Sequence, residues 1–308
     1  MTFNKKRSQS SPSHFSRSFS RYGGPILILL ALFTHGCAGK QPWADQVVEE
    51  ESARITQTFA EMQQRDASCS CCLDAKVTLS WDGPGEDRSV AGFLQLLLPT
   101  SLKFVVLNPL GQPLYALVNQ GQGFESINIS RKQHVIGNLS ALATQYEIPG
   151  PLLADNWGYW LVGRLQEHEA SIETIRRDSA GRGAWITLRY PSEAALSKSH
   201  LLIQPRTKQL LARILVDQQG ETIATLFYDG RSGIEAQEAC VPASRITITD
   251  LPYGSKVNID FAEIITDRSL SAANFRLKVP ADYQVIDDRR PGTKGDKKKL
   301  LSPAIIQD

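Results

Sequence analysis

From Lys76 to Phe261 the chain keeps returning to a spacing of two. In Lys76-Val77-Thr78-Leu79-Ser80-Trp81, the side chains of Val77, Leu79 and Trp81 fall on one face of an extended segment and the polar ones on the other. Ile246 and Ile248 alternate with Arg245, Thr247 and Thr249, and Val257, Ile259 and Phe261 alternate with Lys256, Asn258 and Asp260. Further strand-like segments lie at residues 90–98, 101–108, 113–119, 123–130, 170–176, 184–190, 200–204, 210–217 and 222–228. Turn signals such as Asp82-Gly83-Pro84-Gly85, Gly181-Arg182-Gly183 and the residues around Gly220 divide them at short intervals. That is the signature of an antiparallel meander. About eleven strands are too many for a flat open sheet, and a single apolar face has to be covered. The expected domain is therefore mainly β, a sheet curled around its own contents.

Helical spacing occurs in two places. Residues 44–64 carry Val47, Val48, Ile55, Phe59 and Met62 on one stripe, with Glu49, Glu50, Glu51 and Arg54 elsewhere. Residues 139–146 and 151–165 interrupt the strands and read as helices, the second with Trp157, Trp160 and Leu161 on one side. Apolar residues make up 42% of the chain, enough for a core, so wholesale disorder is excluded. A net charge of +2 excludes a dedicated nucleic-acid binder.

The charge is unevenly placed. Residues 1–36 hold Lys5, Lys6, Arg7, Arg17 and Arg21 and no acid, so the rest of the chain is mildly acidic. A nine-residue apolar run, Pro25 to Phe33, follows the basic stretch. A membrane-spanning helix needs about 20 such residues, so the run is too short to cross. A basic region, a short apolar core and small residues after it describe a secretory signal peptide. It ends in Thr34-His35-Gly36-Cys37, which reads as a bacterial lipobox with Cys37 as the lipidation site. Stable anchoring takes more than one acyl chain, which a triacylated Cys37 supplies. Ala38 stands where an Asp would resemble an inner-membrane retention signal, so the outer membrane is the expected address. The expected organisation is a signal peptide at 1–36, an anchor linker at 37–43, a folded domain at 44–286 and a basic, solvated tail at 287–308.

With Cys37 acylated, Cys69, Cys71, Cys72 and Cys240 remain. Export favours disulfides over a metal site, because Cys69-Ser70-Cys71-Cys72 lacks paired C-x-x-C knuckles and has no His nearby. Cys71 and Cys72 are adjacent and are expected to bond to different partners. A bond from Cys240 to one of Cys69, Cys71 or Cys72 would close a long loop, and the spacing does not select which.

No catalytic constellation is visible. The five histidines are scattered, and the sequence holds no nucleophile elbow, phosphate loop or dinucleotide fingerprint. Glu167, His168 and Glu169 read as a polar loop. No enzyme activity, cofactor or metal is expected.

One stretch is more specific. Lys103 to Leu107 is a strand running into Asn108-Pro109-Leu110-Gly111, and a second strand returns from Pro113. Later, Ile148-Pro149-Gly150-Pro151 precedes a helix ending Trp160-Leu161-Val162-Gly163. These marks resemble the LolB-like outer-membrane lipoprotein receptors of the LolA-like superfamily, closely over residues 75–165 and more loosely to about 286. The Cys cluster departs from that pattern, and the part after Gly163 is longer than the family needs.

The resemblance implies an unclosed barrel with an N-terminal helix, a helical lid and an apolar cavity for acyl chains. Candidate cavity residues are Val77, Leu79, Trp81, Phe104, Val106, Trp157, Trp160, Ile246, Ile248, Val257, Ile259 and Phe261. The resemblance also implies a membrane-insertion loop at Asn108, Pro109, Leu110 and Gly111, with Leu110 projecting outward. The partners it implies are acylated lipoproteins, a periplasmic LolA-like carrier and outer-membrane lipid. The alternative is a structural or assembly lipoprotein of the same fold without transfer.

Overall fold

The computed structural model describes residues 41–288 except 85, 147, 154–156, 167–168, 231–239 and 267–268. The expected signal peptide, Cys37, most of the expected linker, the expected tail beyond Asp288, Glu167 and His168 lie outside the described residues. Strand β1 (Trp43–Gln46) precedes helix α1 (Glu49–Ser68). Six strands follow: β2 (Cys72–Gly83), β3 (Glu86–Leu97), β4 (Ser101–Leu107), β5 (Pro113–Gln120), β6 (Gly123–Asn128) and β7 (Gln133–Asn138). Helix α2 (Leu139–Tyr146), a 3-10 turn (Gly150–Leu153) and helix α3 (Trp157–Val162) come next. Seven more strands run β8 (Ser171–Asp178), β9 (Ala184–Arg189), β10 (Leu196–Gln204), β11 (Gln209–Asp217), β12 (Thr222–Asp229), β13 (Arg245–Thr249) and β14 (Lys256–Ile265). The short β15 (Gln284–Asp287) is last.

All fifteen strands belong to one sheet, in the order β1-β8-β9-β10-β11-β12-β13-β14-β2-β3-β4-β5-β6-β7-β15. Two antiparallel meanders, β2–β7 and β8–β14, are joined where β14 pairs with β2, with Ile259 opposite Leu79 and Val257 opposite Trp81. β1 and β15 stand at the two ends of this order, so the sheet is unclosed, and every pairing but β15 with β7 is antiparallel. The segment carrying α2 and α3 connects one meander to the other.

The count of about eleven strands is corrected to fifteen: the twelve segments read as strands are joined by β1, β7 and β15, which were not expected. β1 and β15 have four residues each, and β15 pairs parallel with β7, so neither presents a repeated alternation. The N-terminal helix also needs correction. It spans Glu49–Ser68 rather than 44–64, and Val47 and Val48 precede it, Val48 in extended backbone. Val47 N–H donates to the Ile175 carbonyl and its side chain is buried, whereas Val48 points to solvent. Glu49, Glu50 and Glu51 then fill the first turn, where the helix dipole favours acids. The helix expected over 151–165 is two short pieces, the 3-10 turn and α3.

Ile55, Phe59 and Met62 of α1 pack against Val77 of β2, Leu94 of β3, Ile186 of β9 and Leu201 of β10 in one apolar cluster. Strands of both meanders thus meet across the same helix, the arrangement that burying a single apolar sheet face requires.

Candidate functional site

The two meanders leave apolar space between the sheet and the connecting segment. One chamber, about 410 Å³, is bounded by alternate residues of four successive strands. These are Val77, Leu79 and Trp81 of β2, Val90 and Leu94 of β3, Leu102, Phe104 and Val106 of β4, and Tyr115 and Leu117 of β5. Ile259 of β14 and Leu161 of α3 complete it, with Arg88 at its wall. The period of two places them together, since each strand turns every second side chain inward. Burial raises the pKa of the Tyr115 hydroxyl, against the opposing hydrogen bond with Ser126, so this wall group stays neutral.

A second chamber, about 260 Å³, lies against the 3-10 turn and α3, which are called the lid below. Ile148, Pro149, Leu152, Trp157, Trp160 and Leu161 form its roof, and Trp81, Leu226, Ile248, Leu251, Pro252, Tyr253 and Ser255 form its floor and mouth. Trp81 and Leu161 belong to both chambers. Their walls are almost wholly carbon, the lining that takes apolar ligands. A third hollow, between α2 and the 3-10 turn, is lined partly by Gln122, Ser140 and Thr144 and lacks that character.

The structure brings together Val77, Leu79, Trp81, Phe104, Val106 and Ile259 in the first chamber, and Trp81, Trp157, Trp160 and Ile248 in the second. Ile246, Val257 and Phe261 line neither chamber: Ile246 and Phe261 are buried in the core, and Val257 packs against it. They share the alternation of the chamber residues but belong to the packed core. Lining residues outside the cavity candidates read from the sequence include Leu94, Leu102, Leu117 and Leu161. The first three continue the alternation already read in β2 and β4, so that signal was available.

The lid is fastened to the sheet along α3 and just beyond it. The Gly158 N–H donates to the Pro99 carbonyl at 3.1 Å, in the β3–β4 turn. The Tyr228 hydroxyl donates to the Trp160 carbonyl at 2.8 Å. Just past α3, the Arg164 guanidinium donates to the carbonyls of Ser70, at 2.6 Å, and Cys240, at 3.1 Å. The Leu165 N–H donates to Asp66 Oδ2 at 2.8 Å. Arg164 and Asp66 are both buried. Cys69 is disulfide-bonded to Cys240, joining the end of α1 to the lead-in of β13. Cys71 and Cys72 are free thiols, so the expectation that each bonds to a different partner is corrected: Cys240 is taken by Cys69.

The turn between β4 and β5 is held from within. Asn108 Oδ1 accepts the N–H groups of Leu110, at 3.0 Å, and Gln112, at 2.8 Å. Gly111 N–H donates to the Asn108 carbonyl at 2.9 Å, with Gly111 at φ +78°, a conformation that favours glycine. Asn108 is half-buried and Pro109 exposed, while the Leu110 side chain is 83% exposed. On the turn between β13 and β14, Tyr253 is 73% exposed, also at positive φ. The register points both turns toward the same end of the strands: β14 begins opposite Asp82 at the end of β2, and β4, which runs parallel to β2 with β3 between them, ends past Val106, opposite Gly92 in the middle of β3. Trp81, 43% exposed, lies near that end of β2, opposite Val257.

Among the described residues, no three of His, Cys, Asp or Glu gather as a metal site, and no helix is long and apolar enough to cross a membrane. No family model and no curated protein matches the sequence. Solved structures do match. A putative outer-membrane lipoprotein-sorting protein domain of Vibrio parahaemolyticus aligns with TM-score 0.50 and 11% identity, over 71% of this chain and 94% of that one. A DUF1329 family protein of Desulfovibrio piger aligns with TM-score 0.50 and 12% identity, over 73% and 96%. A LolA superfamily protein of Nitrosomonas europaea gives TM-score 0.49 and 14% identity, over 72% and 97%. At such identities the likeness is one of fold: the chain shares the unclosed, mainly β architecture of the lipoprotein-sorting domain and the DUF1329 protein.

Proposed function

We propose that this protein is a lipid-anchored outer-membrane lipoprotein that holds the acyl chains of other lipoproteins and helps insert them into the membrane. The observation that carries the reading is the pair of apolar chambers sharing Trp81 and Leu161 under a tethered lid. Walls with so few polar groups offer hydrocarbon a dry surface and give a polar substrate nothing to bond. The protein acts by binding, without covalent chemistry. The neighbour described as a lipoprotein-sorting domain supports the same class of ligand.

Release requires contact with a bilayer, and the exposed turn carrying Leu110 provides it. Moving one Leu side chain from water into an apolar phase is favourable by roughly 1.5–3 kcal/mol. That biases an encounter and is too little to anchor the chain. Tyr253, at the mouth of the second chamber, has the amphipathic form suited to a headgroup region. Acylation of Cys37 would keep the protein at the outer membrane, where a periplasmic LolA-like carrier delivers cargo.

The test is transfer of a fluorescent diacylated peptide from the protein to liposomes. Leu110→Glu is expected to keep the thermal unfolding midpoint and peptide binding while losing most of the transfer rate. Unimpaired transfer by the folded variant would remove Leu110 from the pathway, and failure of the wild-type protein to bind the peptide would overturn the proposal itself.

A further inference from the structure

The thiols of Cys71 and Cys72 lie with their Sγ atoms 3.0 Å apart. Cys71 is exposed and Cys72 is buried. The remaining described cysteines, Cys69 and Cys240, are already bonded to each other. That bond belongs to oxidising surroundings, in which a surface thiol beside a second thiol meets disulfides continually. We propose that Cys71 and Cys72 form a second redox site, a dithiol that is converted to a vicinal disulfide by exchange with a small-molecule or protein disulfide. This activity is independent of the lipid chambers.

The step balances as ordinary thiol–disulfide exchange. The Cys71 thiol loses its proton to solvent, and its thiolate attacks one sulfur of the incoming disulfide. A mixed disulfide forms on Cys71, and the first partner thiolate leaves. Cys72 then loses its proton, and its thiolate attacks Cys71 Sγ and expels the second partner thiolate. Two protein thiols are oxidised to one disulfide, and the partner disulfide is reduced to two thiols. The exposure of Cys71 suits it to meet the partner. The buried Cys72, which packs with Leu270 and Phe275, is placed to resolve the intermediate and not to meet a partner itself.

Two surroundings bear on how easily the bond forms. The buried Arg164, held on the Ser70 carbonyl, supplies a positive charge that favours the Cys71 thiolate. Contact with Cys72, and then burial, outweigh it and raise the Cys71 pKa above the ordinary thiol value. Cys71 is therefore a site to be modified and not a fast catalytic thiol. The Cys71 carbonyl also accepts the Leu98 N–H at 2.8 Å, and Cys72 opens the β2 ladder opposite Leu97. Closing a ring across the Cys71–Cys72 peptide has to act on that pairing. A disulfide formed at such a cost, and exposed, belongs to the readily reduced class.

The experiment is a titration of the full chain across glutathione redox ratios, quenched in acid, alkylated with N-ethylmaleimide and mapped by peptide mass. Two separate transitions are expected. As the ratio becomes oxidising, the Cys71–Cys72 peptide should lose both alkyl groups and two hydrogens. Cys69–Cys240 should already be closed at more reducing ratios. Persistent alkylation of Cys71 and Cys72 across the range would overturn the proposal, as would a bond from Cys240 to either of them. In Cys72→Ser, glutathione should accumulate on Cys71 because nothing resolves the mixed disulfide. In Cys71→Ser, Cys72 should take no glutathione. An adduct on Cys72 in that variant, or none on Cys71 in the other, would also overturn it.

Discussion

Gly158 of the lid stands directly against Pro99 of the sheet. Its N–H donates to the Pro99 carbonyl oxygen at 3.1 Å, and a Cβ added at 158 would lie 2.2 Å from that same oxygen. The contact is backbone to backbone, so neither side can yield by turning a side chain. Gly158→Ala must lift α3 from the β3–β4 turn and break the hydrogen bond. Overpacking of this kind costs about 1–3 kcal/mol. Urea denaturation should show a lower midpoint, and an apolar dye should bind more strongly as the second chamber opens. An unchanged midpoint would mean that the lid seats elsewhere.

Cys69 and Cys240 are 171 residues apart in sequence, and their bond restrains a long loop in the unfolded chain. Replacing both by Ser is expected to cost about 2–5 kcal/mol, read from chemical denaturation. The Cys240 carbonyl is also one of the two acceptors for Arg164, so the loss should extend to the lid. Hydrogen exchange of 157–165 should quicken more in this variant than exchange of β9–β11. Equal protection throughout would show that the bond holds the termini of its loop and nothing more.

His200 supplies a pH dependence. It lies between Thr187, whose Oγ1 is 3.0 Å from Nδ1, and the Trp43 ring, 4.7 Å from centroid to centroid. Burial, and then the charge of Lys198, lower its pKa to about 4, with Glu173 opposing. The folded protein therefore keeps His200 neutral where the unfolded chain, with an ordinary value of about 6.5, binds a proton. Stability from this group is intact above about 6.5 and is lost progressively as the pH falls toward 4. His200→Gln should flatten denaturation midpoints across that window. A slope identical to the wild type would assign the acid sensitivity to other groups.

The sheet was legible because its inward residues alternate over long runs. Val77, Leu79 and Trp81 read correctly as one face, and the same reading extended to Leu102, Leu94 and Leu117 would have traced most of the first chamber. Alternation reports the face of a strand and not what stands before it. Ile246 and Val77 look alike in sequence, yet Ile246 is sealed in the core while Val77 reaches a chamber wall. β1 was hidden because Trp43-Ala44-Asp45-Gln46 holds one large apolar residue, and its edge position comes from long-range pairing with β8. Tyr253 gave no periodic signal, since it sits in a turn whose place beside the lid depends on the β14–β2 pairing that joins the meanders.

Native mass spectrometry of a Cys37→Ser chain, exported and purified without detergent, tests the proposed lipid binding most directly. The anchor-free protein is expected to carry an added mass matching an acyl lipid or an acylated peptide. Leu161→Glu, which puts a carboxylate into the wall shared by both chambers, should release that mass while thermal unfolding remains cooperative. A folded wild-type chain showing only its bare polypeptide mass, even after incubation with a diacylated peptide, would contradict a carrier of acyl chains.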